Sequence, residues 1–117
     1  IFIGHAPGFW AHLSGDDQFH KVAYPTGPIL PDGKVVTMFR TYPNLYADLS
    51  AGSAHRALSR DLAFSKDFLI EFQDRLLYGR DYFDNRMQEL LNALDLPAAV
   101  LNKIYADNAL RLAPDAA

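Results

Sequence analysis

Arg75-Leu76-Leu77-Tyr78-Gly79-Arg80-Asp81-Tyr82 is the stretch on which the fold turns. A short apolar run of strand length stops at a glycine and delivers a carboxylate beyond its C-terminal end. Ile1-Phe2-Ile3-Gly4-His5 repeats the form and delivers an imidazole. In parallel α/β proteins, ligands and catalytic groups collect beyond the carboxyl ends of the strands. Two such strands ending in His5 and Asp81 suggest part of a metal-dependent active site, whose other ligands belong to chain outside this sequence.

Between these runs the pattern alternates. Residues 6–32 show neither helical nor strand period, and Pro7, Gly8, Gly15, Pro25, Gly27, Pro28 and Pro31 interrupt any start. A loop this long is usually functional or disordered, and Phe9, Trp10, Phe19 and Tyr24 favour an ordered, packed one. Val35, Val36 and Phe39 predict a helix over 33–41. Pro43-Asn44 turns the chain into a strand over 45–49, and 50–53 read as the loop after it. Residues 54–59 predict one or two helical turns. Phe64, Phe68 and Phe72 predict a helix over 63–74 with an aromatic stripe against a sheet.

After the strand at 76–78, Met87, Leu90, Leu91 and Leu94 fall at i, i+3, i+4 and i+7 of a helix starting near Asn85. Asp95 is placed to cap a last helix, with Pro97 in its first turn. Val100, Leu101 and Ile104 form the apolar face of that helix. Residues 108–112 extend it and Pro114 ends it.

The order β-loop-α-β-α-β-α-α describes parallel βαβ units. Three parallel strands cannot cover both faces and both edges of their own sheet. The units amount to about three-eighths of a (β/α)8 barrel, a fold of roughly 250 residues. The expectation is therefore an incomplete barrel. The chain also has no initiator Met and opens inside a strand-like run, as a piece of a longer chain would.

Composition excludes several classes. The net charge is −3, from 11 basic and 14 acidic residues, and neither sign forms a block. Nucleic-acid binders show a basic patch or stripe instead. The absence of cysteine excludes disulfides and thiolate metal sites and fits a cytoplasmic protein. No apolar run approaches the roughly 20 residues that span a bilayer, and the first residues do not read as a signal peptide, having no basic region followed by an apolar stretch. The expected partners are a small-molecule substrate and, through an exposed parallel edge strand, another copy of the chain.

Four motifs, in order, carry a resemblance: Gly4-His5-Ala6-Pro7-Gly8-Phe9-Trp10, Tyr42-Pro43-Asn44-Leu45-Tyr46-Ala47-Asp48-Leu49-Ser50, Leu76-Leu77-Tyr78-Gly79-Arg80-Asp81-Tyr82 and Ile104-Tyr105-Ala106-Asp107-Asn108-Ala109-Leu110-Arg111-Leu112. Together they resemble the C-terminal part of the amidohydrolase-related (amidohydrolase 2) TIM-barrel family. Its branch here includes amino-carboxymuconate-semialdehyde decarboxylase and the resorcylate decarboxylases. The resemblance covers nearly the whole chain and implies a single domain of which residues 1–117 are about strands 6 to 8 with their helices. It implies that His5 ends the sixth strand and that Asp81 ends the eighth as a metal ligand. The first-strand His-x-His and the ligands of the fourth and fifth strands would lie upstream. Arg80 and Phe83 depart from the family pattern, and a cation beside Asp81 can pair with its carboxylate.

A divalent ion, with zinc expected, takes carboxylate oxygen and imidazole nitrogen at roughly 2.0–2.2 Å. Asp81 would serve as ligand and proton acceptor, or merely as a helix cap or loop residue. His5 would serve as acid/base, electrostatic stabiliser or second ligand, or merely bond a backbone carbonyl. Asp48 and Ser50 face the same mouth and suit orientation of a ligand or substrate, or loop capping. Phe9, Trp10 and His12 suit a lid or pocket wall, or packing on the rim. Arg80 suits a substrate carboxylate, or neutralises Asp81. His20 and His55 read as surface residues, Asp74 and Asp84 as solvated or capping, and the phenylalanine stripe with Leu90, Leu91 and Leu94 as core. Gly4, Gly52 and Gly79 form no phosphate-cradling loop.

The expected function is that of a metal-dependent hydrolase using an activated water on a C–O or C–N bond of a small organic substrate. The alternatives are a metal-dependent non-oxidative decarboxylase of an aromatic or unsaturated carboxylic acid, and a catalytically incomplete fragment. The isolated chain is expected to be inactive.

Overall fold

The computed structural model describes residues 1–116. The three strands form one parallel sheet in the order β1 (Phe2–Gly4), β2 (Leu45–Asp48) and β3 (Leu76–Leu77). Phe2 aligns with Leu45 and Gly4 with Ala47, while Ala47 also aligns with Leu76. Because the strands are parallel and in register, their C-terminal residues come out on one edge. That mixed α/β arrangement is compatible with part of a (β/α)8 barrel.

The crossovers are helical. α1 (Ala6–Trp10) leaves β1, followed by a 3-10 turn at Ala11–Leu13. α2 (Lys34–Thr41) precedes β2, with Val35 and Phe39 buried. α3 (Ala51–Ser59) and α4 (Leu62–Glu71) join β2 to β3. The Asp61 side chain accepts a hydrogen bond from the Phe64 amide at 3.1 Å and so caps α4. α5 (Arg86–Ala93), α6 (Ala98–Asn102) and α7 (Asn108–Leu112) follow β3.

Several sequence expectations are corrected here. Residues 6–10 are helical because Pro7 falls in the first turn, where its missing N–H costs nothing. Residues 51–53 are the first turn of α3 and no loop. The helix of the phenylalanine stripe ends at Glu71, and a 3-10 turn carries Gln73–Arg75 into β3. The stripe meets aromatic side chains of the helices beside it: Phe68 lies 5.9 Å from Phe39 and 6.3 Å from Trp10, ring centre to ring centre. Asp95 caps nothing. It takes a left-handed conformation (φ 52°) just past α5, and Pro97 occupies the N-cap position of α6.

The long loop is ordered, as its aromatics suggested, but polar contacts anchor it too. Ser14 Oγ donates to Asp16 Oδ2 at 2.6 Å and accepts from the Leu30 amide at 2.8 Å. The Gln18 side chain bonds both the amide and the carbonyl of Thr26. Arg60 clamps the loop to α3 through Asp16 Oδ2 at 2.7 Å and the carbonyls of Thr26, Gly27 and Pro28. Gly33 has no substitute, because an added Cβ would overlap the Leu13 carbonyl.

The C-terminal helix is docked on the outer edge of β3. The Tyr78 amide donates to the Ile104 carbonyl at 2.9 Å. With that carbonyl engaged, the Asn108 amide reaches back to Lys103, and Lys103–Asp107 form a π-turn between α6 and α7. Asn108, fully buried, donates from Nδ2 to the carbonyls of Gln73 (2.6 Å) and Leu76 (2.9 Å). β1 pairs with β2 only, and Ile1, Phe2 and Ile3 are exposed. No described helix is long and apolar enough to cross a membrane.

Candidate active site

Three loops leave the C-terminal edge of the sheet and carry His5, Asp48 with Ser50, and Asp81. His5 Nδ1 lies 3.0 Å from Asp48 Oδ1. A carboxylate only accepts, so the shared proton sits on Nδ1 and the Nε2 lone pair of a neutral ring is left free. Asp48 is itself held, since Oδ1 also accepts from the Ser50 hydroxyl (2.6 Å) and the Ser50 amide (3.1 Å). Both readings weighed for Asp48 are thus present in one carboxylate: it orients His5 and it ties the start of α3.

His5 and Asp81 line one cleft of ≈ 300 Å³, with Tyr24, Arg56, Tyr82 and Arg86 around it. Two residues of this cleft carry backbone strain. Ala6 (φ 78°) and Ala51 (φ 62°) sit in the left-handed region, each as the first residue of the helix that follows its strand. Strain of this kind costs on the order of 1–2 kcal/mol per non-glycine residue and concentrates at functional sites.

Among the described residues Asp81 has neither an ion pair nor a side-chain hydrogen bond. Neutralisation of Asp81 by Arg80, one of the two readings of that arginine, is not observed; Arg80 is exposed beside Tyr82 and the wholly exposed Phe83. The carboxylate that does pair is Asp84. It accepts from Arg86 Nε at 2.7 Å and from the Arg86 amide at 2.8 Å, which pull its pKa down to about 2.

The remaining sequence candidates are placed differently. Trp10 is 1% exposed and packs edge-on against Phe68, so its indole belongs to the core behind the cleft. Phe9 is half-buried, 5.2 Å from Trp10 and directly against Gly4. His12 Nδ1 bonds the Gly8 carbonyl at 2.8 Å. His20 is exposed, as expected. His55, read as a surface residue, is half-buried and lines a cleft with Asp81, Asp84 and Arg86. Burial, and then the Arg86 charge, depress its pKa below the ordinary imidazole value. Arg56 also went unnoticed in the sequence, where a lone arginine on a helix carries no signal.

Catalytic zinc sites use three protein ligands and leave a position for water or substrate. No described group of three or more His, Cys, Asp or Glu side chains could hold an ion. Imidazole nitrogen and carboxylate oxygen suit such an ion, and His5 and Asp81 open on the same cleft. The residues present therefore fit as a partial donor set.

A family model, described as Amidohydrolase, matches residues 33–113, from the N-cap of α2 to the end of α7. The chain belongs to the amidohydrolase family. Asp48 and Asp81 fall inside the matched span, and His5 precedes it. Comparisons with curated proteins and with solved structures returned no match.

Proposed function

We propose that residues 1–117 form the last βα units, about strands 6 to 8, of a (β/α)8 barrel. The barrel would be a metal-dependent hydrolase acting on a C–O or C–N bond of a small organic substrate. The observation that carries this is the convergence of His5 and Asp81 on one cleft at the C-terminal edge of a parallel sheet. When bound, a divalent ion, with zinc suited to the N and O donors, lowers the pKa of a water to about 7. Asp81, unpaired, is a ligand for that ion and an acceptor for a proton at its carboxylate oxygen. His5 presents Nε2 to the substrate while Asp48 fixes its ring.

The test is Asp81→Asn and His5→Asn in the full-length protein, assayed on esters, lactones and amides with and without divalent metal. Each substitution should lower metal-dependent turnover by on the order of 10²-fold or more. Unchanged turnover in either variant, or release of CO₂ from aryl carboxylates instead of hydrolysis, overturns the proposal. The isolated 117 residues should bind zinc weakly, since two donors do not complete a site.

A further inference from the structure

Three arginines stand on α3, just past its end or at the cleft rim, and two are committed. Arg86 is held by Asp84, and Arg60 by Asp16 and three loop carbonyls. Arg56, one turn before Arg60, has no carboxylate or hydrogen-bond partner among the described residues. Its guanidinium carbon instead sits 4.2 Å from the centre of the Tyr24 ring. Stacking on an aromatic ring holds the guanidinium plane while leaving its N–H groups to donate in that plane. Arg56, Tyr24, His5 and Asp81 line the same cleft.

We propose that Arg56 is a substrate-binding residue that takes a carboxylate of the substrate as a two-pronged hydrogen-bonded pair. This rests on the hydrolase reading above, and it names the substrate class as small organic monocarboxylates carrying the hydrolysable bond elsewhere. Arg56 and the pair His5 and Asp81 line one cleft, which gives it a polarity: the substrate carboxylate turns to the uncommitted guanidinium and the scissile group turns to His5 and Asp81. The cleft volume, ≈ 300 Å³, lies within the range of small-molecule sites. Arg80, the arginine favoured by the sequence for this role, does not line this cleft.

The experiment titrates the full-length protein with benzoate and with the neutral isostere benzamide. Binding is followed by calorimetry and by the arginine Nε–H signals in ¹⁵N–¹H spectra. Benzoate should move the Arg56 signal and bind more tightly than benzamide. Arg56→Gln should weaken benzoate by roughly 10-fold or more, the scale of a charge-assisted pair, and leave benzamide unchanged. Arg56→Lys, which keeps the charge and loses the fork, should fall between. Arg40→Gln, which removes the same charge remote from the cleft, should bind as the wild type does. No benzoate binding by the wild type, equal affinity in Arg56→Gln, or a loss found in Arg80→Gln instead overturns the proposal. Those failures would leave metal-dependent turnover and its loss in Asp81→Asn untouched. Failure of the hydrolase reading would show as metal-independent turnover, with the benzoate titration unaffected.

Discussion

The ring of His5 is fixed by Asp48, forty-three residues further along the chain, through a 3.0 Å bond from Nδ1 to Oδ1. Parallel pairing of β1 and β2 makes this meeting possible, since Gly4 and Ala47 align and the next residues leave together. The two Ser50 bonds to the same oxygen keep the carboxylate from turning away.

Asp48→Asn tests that arrangement. An amide presents either an oxygen or an NH₂ group to Nδ1, so the proton is no longer held there. Turnover of the full-length protein should drop about 10- to 100-fold, the range for residues that orient a metal-site histidine. The ¹⁵N shifts of the His5 ring should change from the Nδ1–H pattern to a mixture. A turnover loss with unaltered ring shifts would mean that Asp48 serves only the fold.

What the sequence made legible was what lies close along the chain. Helical spacing exposed α2, α4 and α5, and the apolar runs exposed the three strands. α1 and the first turn of α3 were hidden because Pro7-Gly8 and Gly52-Ser53 look like interruptions, whereas a helix tolerates such residues at its start. The left-handed Ala6 and Ala51 were also invisible, since alanine does not advertise that conformation. Within the site, His5, Asp48 and Asp81 stood out as polar residues ending strands. The His5–Asp48 bond, the burial of Trp10, the half-burial of His55 and the freedom of Arg56 depend on contacts distant in sequence, which no local pattern encodes.

Arg60→Ala should be among the most destabilising single changes. The pair with Asp16 is almost fully enclosed, with side chains 3% and 10% exposed. Removal of the guanidinium leaves the Asp16 carboxylate its Ser14 and Gln18 bonds but no countercharge, and takes the Arg60 bonds from the carbonyls of Thr26, Gly27 and Pro28. Breaking a buried ion pair from one side costs roughly 3–5 kcal/mol. Urea unfolding would register this as a lower midpoint with unchanged slope, and a loss under about 1 kcal/mol would show that the clamp is dispensable.

Asn108→Leu should cost less, about 1–3 kcal/mol, the penalty for buried carbonyls left without a donor. Leucine matches the volume but cannot bond Gln73 and Leu76. Hydrogen exchange should become faster at Tyr78, whose amide depends on the same helix–strand contact. Equal protection at Tyr78 in the two proteins would refute the coupling.

Stability should fall as pH drops through the histidine range, and His55 should be the cause. Its pKa is depressed below 6.5 by burial and by the Arg86 charge, against the smaller pull of Asp84 and Glu89. Between 6.5 and that lower value the unfolded chain binds the extra proton and the folded one does not, so stability is complete above 6.5 and is lost below it. The carboxylate contribution lies elsewhere. Asp84 titrates near 2 in the folded chain against 3.8 when unperturbed, so its share persists until the pH falls through that lower interval. A comparison of urea midpoints at pH 7.5 and pH 5.5 therefore reads the histidine and leaves Asp84 charged. The midpoint should be higher at pH 7.5, and His55→Gln should shrink the difference; an undiminished difference in the variant would assign the pH dependence to another group.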